Sequence, residues 1–284
     1  MDGARFDEML GRTVTLPILR IGTPGAFLAL DPLDPKSETV LLLGPELDEH
    51  AKVGDLLSVF LHRDSEGRPL ATTRTPRLEL GQVAFVRVTE RTNVGVFVDW
   101  GLPKELLVPF AEETTEMRVG ERYAVGLYVD PSGRLAGTMR VAEMLGKPDF
   151  EPNAWVEGEA WREDPEVGLF VIVARTSLGL LPRDEPHSLS RGDAARFRVS
   201  RVHPDGKIEL SLRGHAHEEL DNDAARVLAQ LSRPGSAPLS DRASPEEIRA
   251  RFGLSRKAFK RAVGRLLREH RVEIDGDGMV RRVG

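Results

Sequence analysis

The chain has 284 residues, enough for two or more domains that each bury a core. It contains no cysteine, which excludes disulfide bonds, zinc sites with cysteine ligands and catalysis by a thiol. The net charge of −5 is unevenly distributed, because residues 241–284 carry 12 Lys/Arg against 7 Asp/Glu. A basic end on an acidic body indicates an anionic partner for that end, although solvated helix faces would give the same composition.

Apolar runs in the chain are short, and none approaches the ~20 residues that a membrane-spanning helix needs. The amino terminus also lacks a basic region followed by an apolar core and a cleavage site. We therefore expect a cytoplasmic protein without a membrane partner.

Three similar units follow one another along most of the chain. They run over about 11–74, over 81–144, and onward from a proline-containing joint at 146–152. Each unit has four or five short β runs separated by turn residues, a pattern typical of a small closed barrel. A period of about 70 residues indicates that a whole barrel is repeated.

Four patterns are shared by the first two units. They are Gly-x-Phe at 25–27 and 95–97, an apolar run ending at Pro45 and Pro109, Val-Gly-acid at 53–55 and 119–121, and Asp-x-x-Gly-Arg at 64–68 and 130–134. Glycine in a strand permits a close backbone approach, and the phenylalanine beside it can then lie on the barrel surface. The alternative is that these phenylalanines are core aromatics.

The third unit resembles the ribosomal-protein-S-one type of OB-fold RNA-binding domain, most clearly at 167–171, 179–182 and 207–212. The second unit is similar, and the first is more diverged. In that family the nucleic-acid face carries two aromatics around the glycine, a histidine at the end of the third strand, and an Asp/Arg pair near the last turn. The resemblance therefore implies RNA binding by the barrels.

The family's aromatic positions are only partly kept. Carried over position by position, the second aromatic is Phe27, Phe97 and Phe170, whereas the first is replaced by Pro24, Val94 and Val167. Stacking contributes about 1–3 kcal/mol per base, so the loss of one aromatic per barrel weakens the predicted affinity of each.

The family's polar positions are also changed. The histidine is replaced by Pro45, Pro109 and Pro182. The acid/base pair is Asp64 with Arg68, then Asp130 with Arg134, and in the third unit His203 with Lys207. The predicted nucleic-acid contacts of the barrels are Phe27, Arg68, Phe97, Asp130, Arg134, Phe170 and Lys207.

From residue 221 the hydrophobic period becomes helical. Asp223 is predicted to cap a first helix. The segment 244–247, Ser-Pro-Glu-Glu, is a capping box that starts a second helix, and Ser255 caps a third after a turn containing glycine. A hairpin at 272–283 follows, so this part is predicted to be a winged helix.

The third helix of this part has an apolar face and an opposite basic face. The predicted nucleic-acid contacts on the basic face are Lys257, Lys260, Arg261, Arg265, Arg268 and Arg271. Arg and Lys bind phosphates without reading bases, and no Asn or Gln lies on this face for adenine readout. The alternative is that the module docks against another protein or against the third barrel.

Three barrels followed by a winged helix resemble the bacterial conserved virulence factor B family across nearly the whole chain. The resemblance implies RNA binding with a post-transcriptional or regulatory role. The fold class expected is multidomain and mainly β, with three tandem OB-fold barrels and a C-terminal α+β winged helix. The predicted domains are 1–77, 78–146, 147–214 and 215–284.

Catalytic patterns are missing from the sequence. It has neither a Gly-rich phosphate loop ending in Gly-Lys-Ser/Thr nor a Gly-x-Ser-x-Gly elbow. His215 and His217 form its only close histidine pair, too few ligands for a metal site. We expect no enzyme activity, no cofactor and no metal.

The sequence thus predicts a protein that binds single-stranded RNA through its barrels and its basic winged helix. DNA binding by the winged helix is an alternative. A second alternative is an interaction scaffold that docks on the ribosome or the transcription machinery.

Overall fold

The chain divides into two units, Met1–Leu210 and Ser211–Gly284. The computed structural model describes residues 4–34, 36–147, 149–212, 216–232, 239–240, 243–276 and 278–283, with the backbone only for 216–222 and 239. The first unit holds three five-stranded barrels and the second a winged helix. The predicted fold class is confirmed.

The first barrel is closed, in the order β1-β2-β3-β5-β4. Its strands are β1 (Thr13–Gly22), β2 (Gly25–Ala29), β3 (Thr39–Leu43), β4 (Leu56–Arg63) and β5 (Pro69–Thr72). A helix that the sequence analysis missed, α1 (Ala4–Met9), precedes them. Its Phe6 and the following Leu10 are buried in the barrel core, so these residues complete the first barrel.

The second barrel is nearly closed, in the order β10-β9-β6-β7-β8. Its strands are β6 (Val83–Arg91), β7 (Gly95–Asp99), β8 (Leu106–Pro109), β9 (Arg122–Val129) and β10 (Leu135–Thr138), and a short helix, α2 (Val141–Met144), follows. A Cβ on Gly137 of β10 would lie 2.8 Å from a methyl group of Val108 on β8. The two end strands therefore pack closely without forming a ladder.

The third barrel repeats the closed order of the first. Its strands are β11 (Trp155–Asp164), β12 (Gly168–Val173), β13 (Ser177–Pro182), β14 (Ala194–Val202) and β15 (Ile208–Ser211). In both closed barrels the third and fifth strands pair in parallel. The first strand pairs antiparallel with the second and fourth strands, and the second pairs antiparallel with the third.

One glycine opens the second strand of each barrel. Gly25, Gly95 and Gly168 have φ of 141°, 157° and 129°. A Cβ on these glycines would lie 2.0, 2.4 and 2.2 Å from a backbone oxygen of the neighbouring strand. No side chain fits such a gap, so glycine is required wherever the backbone of the neighbouring strand approaches this closely.

The strand register corrects one part of the sequence alignment. Gly25 pairs with Leu43, just as Gly95 pairs with Pro109 and Gly168 with Pro182. Pro45 lies two residues further on, in a 3₁₀ turn. The placement of Pro45 at the family's histidine position is therefore wrong. The loops before the third strands differ in length, and matching proline to proline hid this difference.

A carboxylate ties the turn after the third strand to the end of the fifth strand in the first two barrels. Glu46 accepts hydrogen bonds from the Thr72 hydroxyl at 2.6 Å and from the Thr73 backbone at 2.9 Å. Glu112 accepts from the Thr138 hydroxyl in the same way, at 2.5 Å. The repeat therefore includes a half-buried polar contact as well as the apolar core.

Adjacent barrels contact one another within the first unit. Phe60 of the first barrel packs edge-on against Trp100 of the second, with ring centroids 5.7 Å apart. Val83 of the second barrel donates a backbone hydrogen bond to the Arg175 carbonyl of the third at 2.7 Å.

The second unit contains α3 (Ala216–Leu231), α4 (Pro245–Phe252) and α5 (Arg256–Arg268) with the sheet β16-β18-β17. These strands are β16 (Leu239–Ser240), β17 (Val272–Ile274) and β18 (Met279–Arg282). The capping box of Ser244 and Glu247 and the cap by Ser255 are confirmed. The predicted cap at Asp223 is wrong, because α3 already begins at Ala216. Its first half is mostly polar, so the apolar spacing that indicates a helix begins only in the second half.

Across the described parts of the chain, helices are too short or too polar to span a bilayer. The same residues contain no cluster of three or more His, Asp or Glu that could hold a metal ion. His215 of the histidine pair lies outside the described residues.

Candidate nucleic-acid interface

The three predicted stacking residues occupy one equivalent position of the barrels. Phe27, Phe97 and Phe170 each lie two residues after the glycine that opens the second strand. All three are half-buried, while the residues on either side of them are fully buried. Each ring therefore lies on the outer surface of its barrel, and the core alternative does not apply.

Arginine covers two of these rings. The guanidinium carbon of Arg20 lies 3.4 Å from the ring centroid of Phe27, and that of Arg162 lies 5.0 Å from the centroid of Phe170. The residues paired with the three phenylalanines, directly after a bulge in the first strand, are Arg20, Glu90 and Arg162. The first and third barrels thus present an Arg–Phe layer, whereas the second has a carboxylate at that position.

These arginines were not predicted from the sequence, because the bulge shifts the strand register. The residue that pairs with each phenylalanine therefore cannot be found by counting along the strands. An arginine plane can stack on a base much as an aromatic does. It therefore supplies a flat surface in two of the barrels that lack the family's first aromatic.

The predicted polar pairs occupy one equivalent turn. The amides of Asp64, Asp130 and His203 donate to the carbonyls of Arg68, Arg134 and Lys207 at 3.0, 2.8 and 2.8 Å. These six residues therefore have the same backbone position in the three barrels.

The cations of these turns differ in how far they are neutralised. Arg68 forms ion pairs with Asp64 at 2.7 Å and Glu66 at 2.9 Å, and Lys207 pairs with Asp205 at 2.9 Å. Hydrogen bonds from the Arg68 backbone and then its side chain hold the pKa of Asp64 below its ordinary value. Arg134 has no ion pair with any described residue, so its charge is the most available of the three.

A groove of about 240 Å³ lies beside Phe97. Lys104 and Arg134 line it from the second barrel, and His62 lines it from the first. The Lys104 carbonyl accepts a hydrogen bond from the Trp100 indole at 2.6 Å, which fixes the loop. Burial, and then the charge of Arg134, lower the pKa of Lys104. Two cations thus converge beside one stacking ring.

Lys104 was not among the predicted contacts, since its loop matches no family motif. Its closeness to Arg134 depends on the fold of the second barrel. Asp130 lies in the same groove. Burial raises its pKa, but hydrogen bonds from Ser132 and the Arg134 backbone outweigh burial, so the pKa lies below its ordinary value. Asp130 therefore stays ionised and holds the turn that carries Arg134.

The basic face of α5 is only partly as predicted. Lys257, Lys260 and Arg261 are exposed and, with Arg256, line a shallow depression. None of these four has an ion pair among the described residues. They form a cationic surface, which we call the α5 basic patch: Arg256, Lys257, Lys260 and Arg261.

The other three predicted cations do not line the depression of the α5 basic patch. The Arg265 side chain is 19% exposed and pairs with Glu269 at 2.7 Å. Arg268 is exposed and donates to the Gly264 carbonyl at 3.3 Å. Arg271 lies beyond the end of α5, because the helix stops at Arg268. The prediction of a single six-cation helix face is therefore wrong at Arg265 and Arg271.

Comparisons with known proteins identify the domains. Residues 225–280 match the CvfB-like winged helix domain, and residues 10–74 and 80–140 match the S1 domain. The first barrel, expected to be the more diverged, is thus matched to the S1 domain. Neither family match includes the third barrel. Both domain types support nucleic acid binding by this chain, and no catalytic family is among them.

Several relatives share most of their length with this chain. The uncharacterized protein YitL of Bacillus subtilis is 29% identical over 83% of each chain. Conserved virulence factor B of Staphylococcus aureus is 27% identical over 85% of each chain. A crystal structure of a multidomain protein with nucleic acid binding domains from Streptococcus pneumoniae is 26% identical over 97% of this chain and 99% of that one, with a TM-score of 0.40.

The chain has S1 domains first and a CvfB-like winged helix domain last. The alignments with YitL and with conserved virulence factor B cover most of each chain. The predicted resemblance to the conserved virulence factor B family is therefore confirmed: the chain has S1 domains and a CvfB-like winged helix domain, and it is similar to proteins of that name over most of their length.

Proposed function

We propose that this protein binds single-stranded RNA through its barrels and its winged helix, and acts in post-transcriptional regulation. The observation that carries the proposal is the repeated surface phenylalanine at Phe27, Phe97 and Phe170, each of which has a cation beside it. That cation is Arg20 at Phe27, Arg134 at Phe97, and Arg162 with Lys207 at Phe170. Stacking on an exposed ring needs an unpaired base, which a single strand offers and a duplex does not.

The barrels and the winged helix contribute different forces. The 240 residues before Asp241 carry a net charge of −10, so phosphate attraction to the barrels is weak. The α5 basic patch concentrates four cations on one helix face. Stacking by the barrels and phosphate contact by α5 together give a stronger interaction than either gives by itself, provided that one strand reaches both.

Duplex DNA is the second candidate ligand, because α5 of a winged helix is the element that enters a major groove. The α5 basic patch favours it through charge alone. The barrels do not, since duplex bases are already stacked on one another. A strand that uses both units is therefore RNA in this proposal, and DNA binding would involve the second unit only.

Replacement of phenylalanine by leucine tests the proposal. The variant F27L/F97L/F170L keeps apolar volume and removes the aromatic faces. Fluorescence anisotropy should show a loss of at least tenfold in affinity for a labelled single-stranded RNA, since stacking supplies about 1–3 kcal/mol per base. Binding of duplex DNA should not change.

The matched control is Phe150→Leu, a half-buried phenylalanine outside the three strand positions. It should leave RNA affinity unchanged. Equal RNA affinity of wild type and the triple variant would contradict the role of the barrels, and a parallel loss of duplex affinity would point to misfolding or to DNA as the ligand.

A further inference from the structure

The third barrel has a large apolar pocket beside its stacking ring. The pocket has a volume of about 590 Å³ and is lined by Phe170, Leu178, Leu180 and Ile208. Sites for small ligands commonly have roughly 300–1,000 Å³, apolar walls and a few polar groups. The pocket is therefore large enough for a nucleobase with its ribose.

The opposite wall is the segment that joins the second and third barrels. Gly146 forms an isolated parallel bridge with Ser177 and donates to the Thr176 carbonyl at 2.9 Å. The Lys147 stem lies on the turn at Gly206, where a Cβ would be 3.0 Å from the Lys147 Cδ. Backbone bonds and packing thus hold this wall in place, and the pocket is formed before any ligand enters.

A polar pair lies at the edge of the pocket. His203 Nε2 and Glu209 Oε1 are 2.8 Å apart, and their side chains are about one third exposed, 31% and 32%. Among the described residues, the second carboxylate oxygen of Glu209 has no hydrogen bond, so it can accept one from a ligand.

The pair is specific to the third barrel. Glu209 pairs with Leu180 across the parallel ladder, and the equivalent residue of the first barrel is Leu70, which pairs with Leu41. In the second barrel the equivalent residue, two positions after Arg134, is Ala136. A carboxylate therefore replaces an apolar residue in one barrel out of three, beside the largest apolar pocket of the barrel surfaces described above.

A carboxylate discriminates between bases by accepting hydrogen bonds. The exocyclic amino group of cytosine donates to such an acceptor, whereas uracil presents a carbonyl oxygen at the same ring position, which a carboxylate repels. Lys147 and Lys207 at the rim attract the flanking phosphates. These groups match the chemistry of one nucleotide in a strand.

We propose that the third barrel binds one amino-bearing base of the RNA in this pocket, with the ring on Phe170 and the amino group on Glu209. This inference rests on the proposed function, since the base belongs to a bound strand. It adds that the third barrel selects cytosine over uracil, whereas the first two barrels do not distinguish these bases.

Labelled oligo(rC) and oligo(rU) of equal length test this selection with pyrimidines of similar stacking area. Anisotropy with the full chain should show about tenfold tighter binding of oligo(rC). Glu209→Gln should bind both oligomers with similar affinity, because an amide both donates and accepts. Glu151→Gln removes one exposed carboxylate elsewhere and should keep the wild-type preference. Thermal unfolding of both variants checks that they are folded.

Equal affinity of the wild type for both oligomers would overturn the base pocket and leave the proposed RNA binding intact. A preference for oligo(rC) that persists in Glu209→Gln would also overturn it. Absence of binding to either oligomer at low salt would overturn the proposed function itself, and the pocket with it.

Discussion

At the residue scale, each barrel combines a surface phenylalanine with a cation, but the cation comes from different places. Arg20 and Arg162 lie over the rings of Phe27 and Phe170. The second barrel has Glu90 at that position and instead turns Lys104 and Arg134 toward its ring. Three copies of one fold thus have two different charge arrangements around the phenylalanine.

The difference at Glu90 leads to a gain-of-function prediction. Glu90→Arg gives the second barrel the arrangement of the other two, with a guanidinium able to stack on Phe97 and the charge reversed. We expect several-fold tighter binding of single-stranded RNA by anisotropy. Glu143→Arg makes the same charge change at an exposed site of α2. An equal gain in that control would show that net charge, and not the Arg–Phe layer, is responsible.

The groove beside Phe97 leads to a loss-of-function prediction. Lys104→Ala and Arg134→Ala each remove one cation without a described ion-pair partner. Each variant should bind single-stranded RNA several-fold more weakly and should lower the slope of log affinity against log salt by about 0.7. Lys36→Ala, at an exposed loop site, is the comparison. An unchanged slope in both groove variants would contradict phosphate contact in this groove.

At the element scale, local patterns predicted local structure well. The caps at Ser244 and Ser255 and the apolar face of α5 follow from spacing within one helix. Contacts between strands did not follow, because they depend on register. Arg20 pairs with Phe27 only because a bulge shifts the register of the first strand. Pro45 was misplaced by two residues because the pairing of the second and third strands cannot be read from the sequence. Helix α1 was missed because six residues give too little periodicity.

The contact between Glu46 and Thr72 makes the first barrel sensitive to acid. Burial raises the pKa of Glu46, but hydrogen bonds from Thr72 and Thr73 outweigh it, so the pKa lies below the ordinary value of 4.5. The stabilisation is therefore complete well above pH 4.5 and is lost as the pH falls through the lowered pKa. Urea unfolding should show that Glu46→Gln costs more stability at pH 7 than at pH 3. An equal cost at both values would contradict this account.

Two glycines of the winged helix should respond oppositely to alanine. Gly264 lies within α5, and a Cβ there would meet nothing within 4 Å. Gly264→Ala should therefore stabilise the helix by up to about 1 kcal/mol. Gly253 caps α4 with φ of 69°, which alanine adopts only with strain, so Gly253→Ala should destabilise. Thermal unfolding measures both, and a loss of stability in Gly264→Ala would contradict its open surroundings.

At the scale of the whole molecule, the proposed binding is divided between the two units. The barrels give stacking surfaces on an acidic body, and the winged helix gives the α5 basic patch. Sequence repetition and the order of domains were enough to predict this architecture. They were not enough to find Lys104, the Arg–Phe layers or the pocket at Glu209, because each joins residues that are distant in sequence.

The most direct test of this account is the salt dependence of single-stranded RNA binding by the intact chain, measured by anisotropy between 50 and 200 mM salt. Wild type should bind more weakly as salt rises, and K257A/K260A/R261A should reduce the slope of log affinity against log salt by about 2, at roughly 0.7 per phosphate contact. R12A/K36A/K52A, which removes three exposed cations of the first barrel, should leave the slope unchanged. No RNA binding by wild type at 50 mM salt, or equal slopes in all three proteins, would contradict the account.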